Sequence, residues 1–251
     1  MIVASFTTSP SRIHKCEKTV DSILNQEVAP DIVLLNIPEK YRGSSEYSIP
    51  KFVSDKVIVN VIKNDLGPGT KVLGSLMYCN SNNITPEKLI YFDDDVVYPK
   101  GMIGSMLMCS KKGRVVGASC FDAFSNSQVG IFFHRSNVSH QVVEGFAGVC
   151  VDYKDLDGLL EYFESLPNTE EVLRSDDLYL SLFYHEKKCS IRPIDMPGVY
   201  SFVDLFSEGR ILEYGNEGDA LHNQEVSNVE RYLYAARQIS ETRNVSLPNL
   251  P

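Results

Sequence analysis

Residues 2–6, 32–37, 57–62 and 89–92 form four short apolar runs, rich in β-branched and aromatic side chains. Runs so short and so uniformly apolar read as strands buried on both faces. That is the pattern of a parallel sheet covered by helices, not of a half-solvated antiparallel one. Ser9-Pro10 reads as a helix N-cap followed by proline at the first helical position. Ile13, Cys16, Val20, Ile23 and Leu24 then recur at helical spacing. Residues 38–54 are a polar connection, and Val72, Leu73, Leu76 and Met77 mark a second helix. Strands alternating with helices in this order predict an α/β domain with a mostly parallel central sheet flanked by helices. In such sheets ligands bind at the carboxyl ends of the strands.

The rest of the chain is less regular. Helices are expected over residues 102–109, 156–163, 176–185 and 226–239, the last with Val226, Val229, Leu233 and Ala236 on one side. Strands are expected over residues 115–118 and 129–133. Residues 145–151 read as a glycine-punctuated strand. No repeat, low-complexity tract or flexible linker divides the 251 residues, so one domain is the simplest organisation.

Composition excludes several classes. Hydrophobic content of 43% and charged content of 23% suit a globular protein that can fill a core, not a disordered chain. A net charge of -9 argues against duplex nucleic-acid binding, which needs a basic face. No window approaches a membrane-spanning length of apolar residues. The first residues read as a strand and not as a signal peptide, so the expected location is cytoplasmic. The six cysteines make no C-x-x-C pair and are expected to be reduced thiols.

Function is most legible at Leu89-Ile90-Tyr91-Phe92-Asp93-Asp94-Asp95. Three adjacent carboxylates at the end of a buried strand repel one another and are costly to desolvate. A bound cation relieves both costs, and a hard oxygen donor set of this kind suits Mg2+ or Mn2+. A solvated acidic turn is the plain alternative. The other candidates each have one as well: loop hydroxyls for Thr7 and Thr8, a surface side chain for Arg12, a solvated helix lysine for Lys71, a turn for Gly67-Pro68-Gly69. For Asp176 and Asp177 it is acids favoured by a helix dipole after the N-cap Ser175.

An apolar strand, then D-x-D, then a turn with proline (Val96-Val97-Tyr98-Pro99) resembles the metal-binding motif of GT-A glycosyltransferases. The opening Ser5-Phe6-Thr7-Thr8-Ser9-Pro10-Ser11-Arg12 and the segment Asp65-Leu66-Gly67-Pro68-Gly69-Thr70-Lys71 are similar to further segments of that family. So are Glu144-Gly145-Phe146-Ala147-Gly148-Val149 and Ser175-Asp176-Asp177. The likeness covers about residues 1–190. It implies a single GT-A domain over 1–251, with a nucleotide-binding half (1–100) and an acceptor-side half (101–251). It implies an enzyme that transfers a sugar from a nucleoside-diphosphate sugar, by default a UDP-sugar, to a hydroxyl of a glycan, glycoprotein or small-molecule acceptor. Asp93 and Asp95 would then frame Mn2+ or Mg2+, and Asp94 would reach the donor. Thr7, Thr8 and Arg12 would hold the nucleotide, Asp65 its base or ribose, and Lys71 a phosphate or the sugar. Asp177, with Asp176 beside it, would supply the base of an inverting reaction, Glu144 being a further candidate. His222 would be a further metal ligand, as a C-terminal histidine is in some members.

Two other readings remain open. Asp93-Asp94-Asp95-Val96-Val97 also fits the first motif of haloacid-dehalogenase-type phosphatases, with Asp93 as nucleophile and Asp95 as acid/base. That motif normally lies on the first core strand, whereas here three strand candidates precede it. A non-catalytic sugar- or nucleotide-binding module on the same fold is the third reading.

Overall fold

The computed structural model describes residues 1–122, 139, 141–194, 210–211 and 228–243. Its strands are β1 (Ile2–Phe6), β2 (Ile32–Pro38), β3 (Ile58–Ile62), β4 (Lys88–Tyr91), β5 (Val96–Val97), β6 (Arg114–Gly117), β7 (Cys120–Phe121), β8 (Val142–Val143), β9 (Val149–Asp152), β10 (Ser190–Pro193) and β11 (Arg210–Ile211). The helices are α1 (Glu17–Leu24), α2 (Lys51–Ser54), α3 (Thr70–Ser81), α4 (Met102–Cys109), α5 (Leu159–Glu164), α6 (Glu170–Leu173), α7 (Asp176–Glu186) and α8 (Asn228–Arg243).

Seven strands form one sheet in the order β10-β6-β9-β4-β1-β2-β3. Every pairing is parallel except those of β9, which runs against both β4 and β6. The sequence expectation of a mostly parallel α/β sheet flanked by helices is therefore what the chain adopts. Alternate residues of each strand feed two cores, one on each face. Val3, Leu89 and Tyr91 pack with α3, α5, α7 and α8, while Ala4, Phe6, Ile90 and Phe92 pack with α1 and α4.

Four local expectations are corrected. The first helix begins at Glu17, not at Ser9-Pro10. The Ser9 carbonyl accepts bonds from Arg12 and Ile13, but the chain continues as turns to Cys16. β3 is the sheet edge and not a strand buried on both faces, so Val61 is 55% exposed. The segment 145–151 is a 3-10 turn (Gly145–Ala147) before β9. Gly148, at φ +83°, turns the chain into the strand where a side chain would meet the Phe92 ring. The buried face of the last helix is Arg231, Tyr232, Ala235, Ala236 and Ile239, which keeps Ala236 of the expected apolar side. Leu233 itself is exposed. Residues 129–133 and 226 lie outside the described residues.

A buried polar seam fixes α3 on the sheet. Asn36 donates to Ser5 Oγ and Ser75 Oγ, both at 2.9 Å, and Asn60 donates to Asn36 Oδ1 at 2.7 Å. Ser5 and Ser75 both donate to the Lys71 carbonyl. Buried amide and hydroxyl groups satisfied in this way hold one register of helix on sheet. That register sets where the Lys71 side chain begins.

Candidate active site

The triple Asp leaves the carboxyl end of β4, in the middle of the sheet, and the loop after β1 lies beside it. Asp94 is buried and turned towards that loop. Its carboxylate accepts from the Thr8 hydroxyl and, at 2.6 Å, from Arg12, while its carbonyl accepts from Thr19 at 2.8 Å. Arg12 also pairs with Asp95 at 2.7 Å. Burial pushes the Asp94 carboxyl up to about 7 against the pull of Arg12, with Asp95 adding to the rise. Burial, then the Asp93 charge, raises Asp95. The three acids therefore crowd at a cost that Arg12 offsets only in part.

Asp93 faces the other way. Its carboxylate meets Lys71 Nζ at 2.8 Å, and the same ammonium lies 2.8 Å from Asp176 Oδ2. Lys71 is only 2% exposed, so it is not the solvated helix lysine that its position in α3 allowed. Burial alone would lower it, but Asp176, Asp93 and Asp177 together hold it well above the usual lysine value. The Tyr98 hydroxyl accepts from the Asp93 amide at 3.1 Å and donates to the Phe146 carbonyl at 2.8 Å, tying the acidic turn to the segment before β9.

Asp176 and Asp177 open α7. Asp177 Oδ1 accepts from the Gly145 amide at 2.8 Å, and its Oδ2 accepts from the Tyr232 hydroxyl at 3.1 Å. A side chain at Gly145 would come within 2.8 Å of Lys71 Nζ and 3.2 Å of Asp177 Oδ1, so the backbone approaches this pair because residue 145 has none. Burial, then Asp176, pushes Asp177 well above the ordinary carboxylate range, and Lys71 opposes that rise. Glu144 is also raised, by burial, and accepts from Ser119.

The structure thus brings together Thr8, Arg12, Lys71, Asp93, Asp94, Asp95, Glu144, Asp176 and Asp177. Thr7 lies half-buried in the same loop. Asp65 sits further along the chain towards α3, and both its oxygens accept backbone amides, from Gly67 at 2.9 Å and Arg42 at 2.8 Å. His222 lies outside the described residues. Tyr98 and Tyr232 were not singled out from sequence. Tyr98 follows the D-x-D turn closely enough to have been considered, but nothing local marked Tyr232.

A cation fits the chemistry of this set. Five aspartates (Asp93, Asp94, Asp95, Asp176, Asp177) surround two cationic side chains, Arg12 and Lys71, and Glu144 lies close enough to feel the Asp93 charge. Among the described residues no group of three His, Cys, Asp or Glu side chains is arranged to hold a metal by itself. A cation here would take one or two carboxylates and complete its shell from a ligand's oxygens and water, as Mg2+-type ions do with phosphates.

The acidic cluster therefore sits at the carboxyl edge of an open, mostly parallel α/β sheet with one reversed strand, where ligands of such sheets bind. No protein-family model matches the sequence, and no curated protein matches it. Among solved structures the chain is similar to an active-site mutant of LgtC, at 9% identity over 96% of each chain with a TM-score of 0.44. It is also similar to glucosyl-3-phosphoglycerate synthase from Mycobacterium tuberculosis, solved with Mn2+, uridine diphosphate and phosphoglyceric acid. That identity is 12%, over 77% of this chain and 67% of the other, with a TM-score of 0.46. No described helix is long and apolar enough to cross a membrane.

Proposed function

We propose that this chain is a divalent-metal-dependent glycosyltransferase that moves a sugar from a nucleoside diphosphate, UDP by default, to an acceptor hydroxyl with inversion. The observation that carries the proposal is the buried Lys71 ammonium, 2.8 Å from both Asp93 and Asp176. It joins the acidic turn to the acidic helix start, which supports a reading in which the two functions that glycosyl transfer needs act in one place. One is stabilisation of a departing diphosphate; the other is removal of a proton from the attacking hydroxyl.

In this reading Asp93 and Asp95 hold Mn2+ or Mg2+, which supplies Lewis acidity to the diphosphate leaving group. Arg12 and Thr8 orient Asp94, and Arg12 and Lys71 neutralise the acids until donor and cation arrive. Thr7 and Asp65 lie on the nucleotide side. Asp177 takes the acceptor proton, and a carboxyl raised by its surroundings is suited to general base work near neutral pH. The Gly145 amide and the Tyr232 hydroxyl aim it.

The test is calorimetric titration of UDP with Mn2+ or with EDTA, followed by turnover of UDP-sugars with the product anomer read by NMR. Equal UDP affinity in EDTA removes the metal role, and a product that retains the donor's configuration removes the single-base mechanism. Hydrolysis of p-nitrophenyl phosphate without turnover of any sugar nucleotide would favour the phosphatase reading of Asp93 and Asp95.

A further inference from the structure

Helix α8 carries a buried guanidinium, two of whose nitrogens make no hydrogen bond. Arg231 is 6% exposed, and its Nε and Nη1 are buried with no hydrogen-bond partner among the described residues. Its Cζ lies 5.4 Å from the centroid of the Tyr232 ring, which also stacks on Phe121 at 6.1 Å. The ring contact compensates one face of the ion but leaves the N–H groups of Nε and Nη1 unmet. A buried cation without acceptors is costly, so a group of this kind calls for an acceptor that arrives from outside the described protein. The planar fork of a guanidinium matches the oxygens of a carboxylate or phosphate.

Its position says which substrate would bring that acceptor. The Tyr232 hydroxyl bonds Asp177, so covalent geometry keeps the Arg231 guanidinium within roughly 12 Å of the Asp177 carboxylate, a span that a small acceptor can bridge. The site is otherwise strongly acidic and would repel an anionic acceptor unless a cation were set aside for it.

We propose that Arg231 is the receptor for an anionic group, phosphate or carboxylate, on the acceptor, so that the enzyme glycosylates an acidic acceptor. This rests on Asp177 being the base that faces the acceptor.

The experiment uses the full chain, inorganic phosphate as probe, and the Arg231→Met and Arg231→Lys variants. Phosphate binding is measured by calorimetry and thermal unfolding, alone and with UDP and Mg2+ at saturation. In the parent protein phosphate should bind, and should still bind when UDP fills the donor site. Arg231→Met should weaken phosphate about tenfold or more, the worth of a charged hydrogen bond. Because it removes an unpaired buried charge, it should also raise the ligand-free Tm by about 2–4 °C. Arg231→Lys keeps the charge but loses the fork, and should bind phosphate more weakly than the parent. Three results overturn the proposal: a lower Tm or failure to fold in Arg231→Met, which means that the guanidinium is paired within the protein; phosphate affinity unchanged in both variants; or phosphate displaced by UDP, which assigns the anion to the donor. If UDP itself fails to bind, the transferase reading falls and takes the acceptor assignment with it. The separate UDP titration tells that failure from the other three.

Discussion

Replacing Lys71 by methionine keeps the length of the side chain and removes its charge, and so measures the bridge at the centre of the site. The ammonium meets Asp176, whose side chain is nearly as buried as its own, and Asp93, whose side chain is 34% exposed. Removing one partner of a buried pair costs about 3–5 kcal/mol, because an uncompensated charge is left behind. Solvent screens the Asp93 share, so the lower end, about 3 kcal/mol, is expected. For a chain of this size that corresponds to a fall in Tm of about 6–12 °C. The pH dependence has a definite sign. Lys71 is held above its unfolded value, so its contribution is complete at every pH below about 10 and is lost only as pH rises through the folded value. In Lys71→Met the deficit should shrink on the acid side, where the abandoned carboxylates take up protons. Thermal and urea unfolding of Lys71→Met, Asp176→Asn and the double variant between pH 5 and about 8 measure this, and the double variant should recover about 0.5–3 kcal/mol of coupling. A loss below about 0.5 kcal/mol, the range of an ordinary surface substitution, would show that Lys71 is solvated and would refute the bridge.

Asp95→Ala should abolish Mn2+-dependent UDP binding in calorimetry and leave the protein folded, because removing one of three crowded acids relieves repulsion; retained binding would remove Asp95 from the metal site. Asp177→Asn should lower kcat by about 10²–10⁴-fold with UDP affinity unchanged, and near-normal turnover would pass the role to Asp176 or Glu144. The Asp177 carboxyl is raised in the folded protein, by burial first and then by Asp176, so its ionisation costs stability as pH rises above its unfolded value of about 4. Asp177→Asn should therefore raise Tm at neutral pH, and kcat/KM of the parent should fall with decreasing pH at a value above that of an ordinary carboxylate. Gly145→Ala would bring a methyl group within 2.8 Å of Lys71 Nζ, and should cost about 1–3 kcal/mol in urea unfolding while weakening turnover; a neutral effect would mean that the Gly145 loop yields easily.

The parallel sheet and the acidic turn were legible in the sequence because both are local. Period and apolar content determine β1, β2 and β4, and the three aspartates are adjacent in the chain, so their mutual repulsion needs no knowledge of the fold. The pairing of α7 with the acidic turn was readable only as a resemblance. The start of α1 was misread because Ser9-Pro10 carries the signals of a helix N-terminus while the chain there makes turns around Arg12, which meets Asp94 and Asp95. β3 carries a buried strand's composition but lies at an edge, since strand order is a property of the whole sheet. The burial of Lys71 was equally illegible. A lysine on a helix is solvated unless acids from elsewhere enclose it, and those acids come from residues 93 and 176. Tyr232 and Arg231 show the same limit. The apolar pattern of α8 pointed to the side of Leu233, and only packing against α6 and α7 turned Tyr232 inward to Asp177. Local chemistry determined which groups could act; long-range packing decided which of them meet, because desolvation and charge pairing depend on neighbours that the sequence keeps far apart.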